Sequence, residues 1–193
     1  MRDRITAHFD GLDRLTRNAE CTTGAPERLS LEQAFARVSD MARATHRRGN
    51  KLLFIGNGGS AGICSHMAVD FSKRGGMRAT ALNDSAVLTC LGNDLGYENV
   101  FAQQIEWHGR SGDLLIAISS SGRSPNILRG AEVARTQGCS VATFSGFDED
   151  NPLRSKGDIN LYVRSREYGI VEVAHHALLH AILDLDLGGN LEQ

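Results

Sequence analysis

Five short apolar runs set the architecture of the chain after residue 50: KLLFIG (51–56), ATALN (79–83), DLLIAIS (113–119), SVATFSG (140–146) and INLYVR (159–164). Helical patterns separate them. A strand that is apolar along its whole length must be covered on both faces, which is the condition of a parallel sheet between helical layers. The runs therefore predict an α/β fold, a three-layer α/β/α sandwich around a five-stranded parallel sheet. In such sheets ligands gather at the carboxyl ends of the strands, where the chain order reverses.

The segment before residue 50 has a different texture. Ile5, Phe9, Leu12 and Leu15 recur at three- and four-residue spacing and predict a helix over residues 1–20. CTTGAPER (21–28) reads as a loop. Ser30 followed by Gln33 matches a capping box, opening a helix that runs through Leu31, Phe35, Val38 and Met41 to HRRG. Residues 1–49 are expected to be oligomer-forming helices, and residues 50–193 one ligand-binding unit. The net charge of -2 provides no field for nucleic acid. The opening MRDRITAHFDGLDR lacks the apolar centre of a signal peptide, and no run approaches a membrane span. Cys21, Cys64, Cys90 and Cys139 are scattered, so reduced thiols in the cytoplasm are expected, with Cys90 and Cys139 in the core. Neither nucleic acid nor membrane is an expected partner.

The strand ends carry the polar signals. The first run breaks into Asn57, Gly58, Gly59 and Ser60. Glycines permit a tight turn and close approach of a ligand, and Ser60 is placed to cap the next helix. The segment is neither the spaced Gly-x-Gly-x-x-Gly of dinucleotide folds nor a P-loop, whose Lys it lacks. Alone, it is explained equally well by a turn without a ligand. The third run ends in AISSSGRSPNI (117–127). Ser119, Ser120, Ser121 and Ser124 precede an amphipathic helix there, and hydroxyls with free amides at a helix N-terminus suit a dianionic phosphate. Four serines at that junction favour phosphate over a simple cap. CLGNDLGYEN (90–99), with Asn93 and Asp94, reads as a polar loop.

His66 and Asp70 stand four residues apart on the helix predicted after GNGGS, so both project from one face. Imidazole and carboxylate so placed suit a metal ion or an acid/base pair, although a surface ion pair explains most single pairs. A second group shifts the balance. In IVEVAHHALLHAILDLDL (170–187), Glu172, His176 and His180 recur every four residues, with His175 between them. Val173, Ala177, Leu178, Ala181, Ile182 and Leu185 are read as the apolar face. Two helices that each offer an acid and a His can form a site of two nitrogens and two oxygens.

GNGGSAGICSHMAVDFSKR, GND and ISSSGRSPN, in this order and spacing, resemble the sugar isomerase (SIS) domain, and within it the phosphoheptose isomerase family. The resemblance spans roughly residues 30–187. It implies a cytoplasmic homotetramer with active sites between subunits, a phosphorylated seven-carbon sugar as substrate, and Zn²⁺ or another divalent metal as cofactor. The implied reaction interconverts sedoheptulose 7-phosphate and D-glycero-D-manno-heptose 7-phosphate through a metal-stabilised enediol(ate), for nucleotide-heptose synthesis. By the resemblance, Asn57, Gly58, Gly59, Ser60, Arg74, Asn93, Asp94, Ser119, Ser120, Ser121 and Ser124 bind substrate. His66, Asp70, Glu172 and His180 are the implied metal ligands, and Asp70, Glu172 and His180 the catalytic groups. Two positions depart from the family: Asp70 replaces a Glu and Glu172 replaces a Gln, within Ile-Val-Glu-Val where Arg-Ile-Gln-Glu is usual. Arg123 replaces an Asn in the serine loop. An isomerase for a different phosphosugar, and a non-catalytic SIS protein that senses one, are the alternatives.

Overall fold

The computed structural model describes residues 1–25 and 27–188. Among them, strands β1 (Glu20–Thr23), β2 (Arg28–Leu29), β3 (Leu52–Gly56), β4 (Ala79–Ala81), β5 (Leu114–Ser119), β6 (Ser140–Ser145) and β7 (Ile159–Tyr162) form one sheet, ordered β2-β1-β7-β6-β5-β3-β4. The five strands read from the sequence are all present and pair in parallel. Alternation along β3, β5 and β6 divides their side chains between two cores. Leu52 and Phe54 face one cluster, while Leu53 and Ile55 face the other. Leu114, Ile116 and Ile118 likewise oppose Leu115 and Ala117. A fully buried side chain of this size contributes roughly 1.5–3 kcal/mol, so this double burial outweighs any single cap or ion pair.

The segment read as a loop at 21–28 instead adds β1 and β2 to the sheet edge. β1 pairs antiparallel with β7, setting Cys21 opposite Leu161, and Cys21 is buried. Only one residue of the ECTT strand faces the core, so no apolar alternation announced it.

Among the described residues seven α-helices accompany the sheet: α1 (Arg2–Arg17), α2 (Leu31–Arg47), α3 (Gly59–Lys73), α4 (Ser85–Leu95), α5 (Val100–His108), α6 (Pro125–Thr136) and α7 (Tyr168–Asp186). Residues of α2, α3 and α7 build the core on one face, and those of α4, α5 and α6 the core on the other. The Ser30–Gln33 capping box opens α2 with both reciprocal hydrogen bonds. No residue of α1 is buried; its Leu12 and Leu15 rest on the first core, and the helix contacts α7.

Three local readings change. Gly92, Asn93 and Asp94 lie in the last turn of α4, not in a loop; Asp84 caps that helix by accepting from the Val87 amide, and Gly96 ends it at φ 86°. Cys90, expected in the core, is exposed on α4, and its thiol donates to Asp94. On α7 the buried face is Ile170, Val171, Ala174, His175, Leu178, Leu179, Ile182 and Leu183, whereas Val173 and Leu185 are exposed. Apolar residues fall on more than one side of that helix, so periodicity alone did not choose its inner face. Among the described residues no helix is long and apolar enough to cross a membrane.

Candidate functional site

The sheet order places the reversal of chain direction between β3 and β5: from β3 the chain moves to β4 on one side, then to β5 on the other. Both strands end at this switch point, and the two polar turns seen in the sequence follow them. They line one cavity of about 250 Å³ with Asn57, Gly58, Gly59, Ser60, Ser119, Ser120, Ser121, Ser124, Tyr168 and Glu172.

The turn after β3 depends on its glycines. Gly56 has no room for a side chain, since a Cβ would sit 2.7 Å from the Ser60 carbonyl oxygen. Gly58, at φ 53°, is the N-cap of α3, so Ser60 is not the cap; it lies in the first turn and faces the cavity. The turn after β5 is organised by its hydroxyls. Ser119 Oγ accepts from the Gly122 amide and lies 3.3 Å from Ser124 Oγ. Ser121 Oγ accepts from the Arg123 amide. Ser124 sits at the N-cap of α6 without a capping hydrogen bond from its side chain. Ser120 Oγ is buried without a partner. Two helix N-termini, α3 and α6, meet here with an unpartnered hydroxyl, a combination that attracts an anion.

Asn126, Tyr97 and Tyr168, not flagged in the sequence, support or line this wall. Asn57 and Asn126 exchange two amide hydrogen bonds of 2.9 Å, and the Tyr97 hydroxyl donates to Asn57 Oδ1 at 3.1 Å. Tyr168 closes the cavity from α7. These residues come from turns and helices far apart in sequence, so no spacing could reveal them. Arg123 turns away: its guanidinium pairs with Asp150 at 2.6 Å and lies 3.6 Å from Asp148.

Asp70 and three histidines, His66, His176 and His180, meet where α3 packs on α7. Asp70 Oδ2 lies 3.4 Å from His66 Nε2 and 3.6 Å from His180 Nδ1. His66 contacts the His176 and His180 rings at centroid separations of 4.8 and 5.1 Å, and the latter two are 4.7 Å apart. Nitrogens of His66, His176 and His180 lie within 4.8 Å of one another. His176 Nε2 is buried without a partner. Burial, then the neighbouring His180 and His66, hold the His176 pKa below its ordinary value, which keeps the ring neutral. Glu172 is separate from this group. Its carboxylate rests on Gly59, where a Cβ would collide with it, and it faces the serine cavity.

The remaining expected residues lie outside the cavity lining. Arg74 ends α3 and pairs with Asp184 of α7. Asn93 donates to its neighbour Asp94 at 2.7 Å on the exposed side of α4.

A largely parallel sheet with a serine-lined cavity at its switch point defines the class: residues 26–146 match the family model described as the SIS domain. The chain is 36% identical over 180 residues to the phosphoheptose isomerase of Pelobacter propionicus, covering 86% of this chain and 95% of that one. It is 37% identical over 161 residues to that of Trichlorobacter lovleyi, covering 80% and 82% of the two chains. The solved phosphoheptose isomerase from Neisseria gonorrhoeae superposes with a TM-score of 0.82 at 28% identity, over 96% of this chain and 98% of that chain. The chain belongs to the SIS-domain phosphoheptose isomerase family.

Proposed function

We propose that this protein interconverts sedoheptulose 7-phosphate and D-glycero-D-manno-heptose 7-phosphate, supplying an aldose phosphate for nucleotide-linked heptose synthesis in the cytoplasm. The observation that carries the reading is the pairing of α3 with α7. Both helices enter the serine cavity, through Gly59, Ser60, Tyr168 and Glu172. Both carry the His/acid group further along, and His176 and His180 follow Glu172 by one and two turns, or about 6 and 12 Å of helix. A phosphate held by the serines leaves the rest of a sugar chain to extend toward those side chains.

Moving a carbonyl between C2 and C1 requires loss of a weakly acidic C–H proton and passage through an enediolate. Asp70, flanked by two imidazoles, takes the proton from one carbon. His180 returns a proton on the other side, and Glu172 is the second carboxylate able to share the base role. A positioned acid/base contributes roughly 10²–10⁴-fold. The serine hydroxyls and helix N-termini bind the phosphate away from the reacting carbons, so that binding energy orients the sugar. Imidazoles beside a carboxylate, one with an orphaned buried nitrogen, fit zinc or a similar divalent cation. The ligands carried over by resemblance are His66, Asp70, Glu172 and His180, of which Glu172 is the one that stands apart. Such a cation, when bound, stabilises negative charge on the carbonyl oxygen.

The assembly proposed is a homotetramer with shared active sites. Exposed Ile5 and Phe9 on α1, Val69 on α3 and Val173 and Leu185 on α7 offer apolar surface for it. Arg74, Asn93 and Asp94, outside the cavity in one chain, are assigned to the side of the site that a neighbour completes.

The changes to Asp70 and Glu172 favour a second reading: the same chemistry on a different phosphosugar. A substrate panel separates the two. Turnover of sedoheptulose 7-phosphate, with none of unphosphorylated sedoheptulose and little of fructose 6-phosphate, supports the seven-carbon assignment. Faster turnover of the hexose phosphate replaces it. Binding of phosphosugars with no turnover identifies a sensor.

A further inference from the structure

Helix α7 places His176 and His180 four residues apart, so the two imidazoles project from one face toward His66 of α3. Two histidines at this spacing on a helix can share one metal ion. The three rings form a closed triangle, with all centroid separations between 4.7 and 5.1 Å. Nitrogens on a tetrahedral zinc stand about 3.4 Å apart. The nitrogens here lie within 4.8 Å, so modest rotamer shifts close the set. Nε2 of His176 is buried and lacks any hydrogen-bond partner, an arrangement that costs free energy unless something else takes it up. Glu172 makes no ion pair among the described residues, and its carboxylate sits against Gly59 in the serine cavity.

We infer that His176, and not Glu172, completes the metal site, so that three imidazoles from His66, His176 and His180 hold the cation. The inference rests on the metal-assisted isomerase reading above and revises its ligand set. Three protein ligands leave one coordination position open, as catalytic zinc sites require. Asp70, beside two of the three rings, is then free to move protons. Glu172 is left to accept hydrogen bonds from sugar hydroxyls near the phosphate. The two departures from the family at 70 and 172 become parts of one change: the ligand on α7 moves one turn along the helix, from position 172, a Gln in the family, to the imidazole at 176.

The test is Co²⁺ titration of the metal-free, full-length protein, followed by absorption and by proton NMR of the paramagnetically shifted imidazole N–H signals. The expected result is three such signals in the wild type and two in His176→Ala. His176→Ala and the closer-sized His176→Asn both weaken Co²⁺ binding by at least about 100-fold, while Glu172→Gln changes it less than about threefold. Near-UV circular dichroism of each variant reports that the fold is kept; should His176→Ala misfold, His176→Asn and the wild-type signal count decide. Two imidazole signals in the wild type overturn the inference. So does a protein whose affinity survives at 176 and collapses in Glu172→Gln, a result that leaves metal-assisted isomerisation standing. A wild type that binds no Co²⁺ while it turns over sugar phosphate overturns both.

Discussion

His175 and His176 are neighbours in sequence and opposites in surroundings. His175 is fully buried on the core face of α7, and its Nε2–H donates to the Ser145 carbonyl at 3.0 Å. Burial pushes its pKa down to about 4, against that hydrogen bond. Each ring keeps one buried nitrogen without a partner, but His176, one residue and 100° further round the helix, turns toward His66 and His180. The first ring is a core side chain that happens to be polar. The second belongs to the cluster proposed to hold a cation and move protons. The contrast shows that a histidine-rich helix is read by which side of it the sheet covers, not by its histidine count.

The largest effect separates the two faces through their partners. Asp70→Asn removes the carboxylate beside His66 and His180, and lowers kcat by roughly 10²–10⁴-fold with little change in Tm. A loss of folding together with activity would place Asp70 with the structural side.

The core face answers to pH instead. The folded pKa of His175, about 4, lies below the ordinary 6.5, so between these values the unfolded chain binds the extra proton. Its contribution to stability is complete above about pH 6.5 and is lost as pH falls toward 4. The loss amounts to about 3 kcal/mol. Urea unfolding across this window should show the fall, and His175→Gln should flatten it without altering Co²⁺ affinity. An unchanged slope in that variant would assign the pH dependence to other groups.

Smaller effects compare hydroxyl with guanidinium in the serine loop. Ser119→Ala removes a cavity-lining hydroxyl that also holds the Gly122 amide, and is expected to raise KM for the phosphosugar roughly tenfold. Arg123→Asn breaks exposed pairs with Asp148 and Asp150, and changes stability by less than about 1 kcal/mol and KM by less than about twofold. A large KM increase from Arg123→Asn would show that its guanidinium swings to the phosphate.

Strands β3, β5, β6 and β7 were legible because burial on both faces writes continuous apolar runs; β4, at the sheet edge, is only partly covered. Strand β1 was not, because Cys21 alone faces the core and its partner Leu161 is 140 residues away. The helix holding Gly92, Asn93 and Asp94 was hidden by turn-forming residue types; its signal lay upstream, in the cap at Asp84. In the site, the serine turn and the pairing of His66 with Asp70 followed from local spacing. Tyr97, Asn126 and Tyr168 arrive through tertiary contacts that spacing does not encode. His176 was visible at its four-residue interval from His180, but its meaning depended on the position of α3.

The most direct measurement of the central claim is proton exchange during turnover. Metal-replete protein incubated in D₂O with sedoheptulose 7-phosphate is followed by proton NMR. Proton transfer by side chains of α3 and α7 predicts that an aldose phosphate appears, that deuterium enters at its C2, and that both signals vanish in Asp70→Asn. A folded, metal-replete protein that forms no aldose and exchanges no proton contradicts the account.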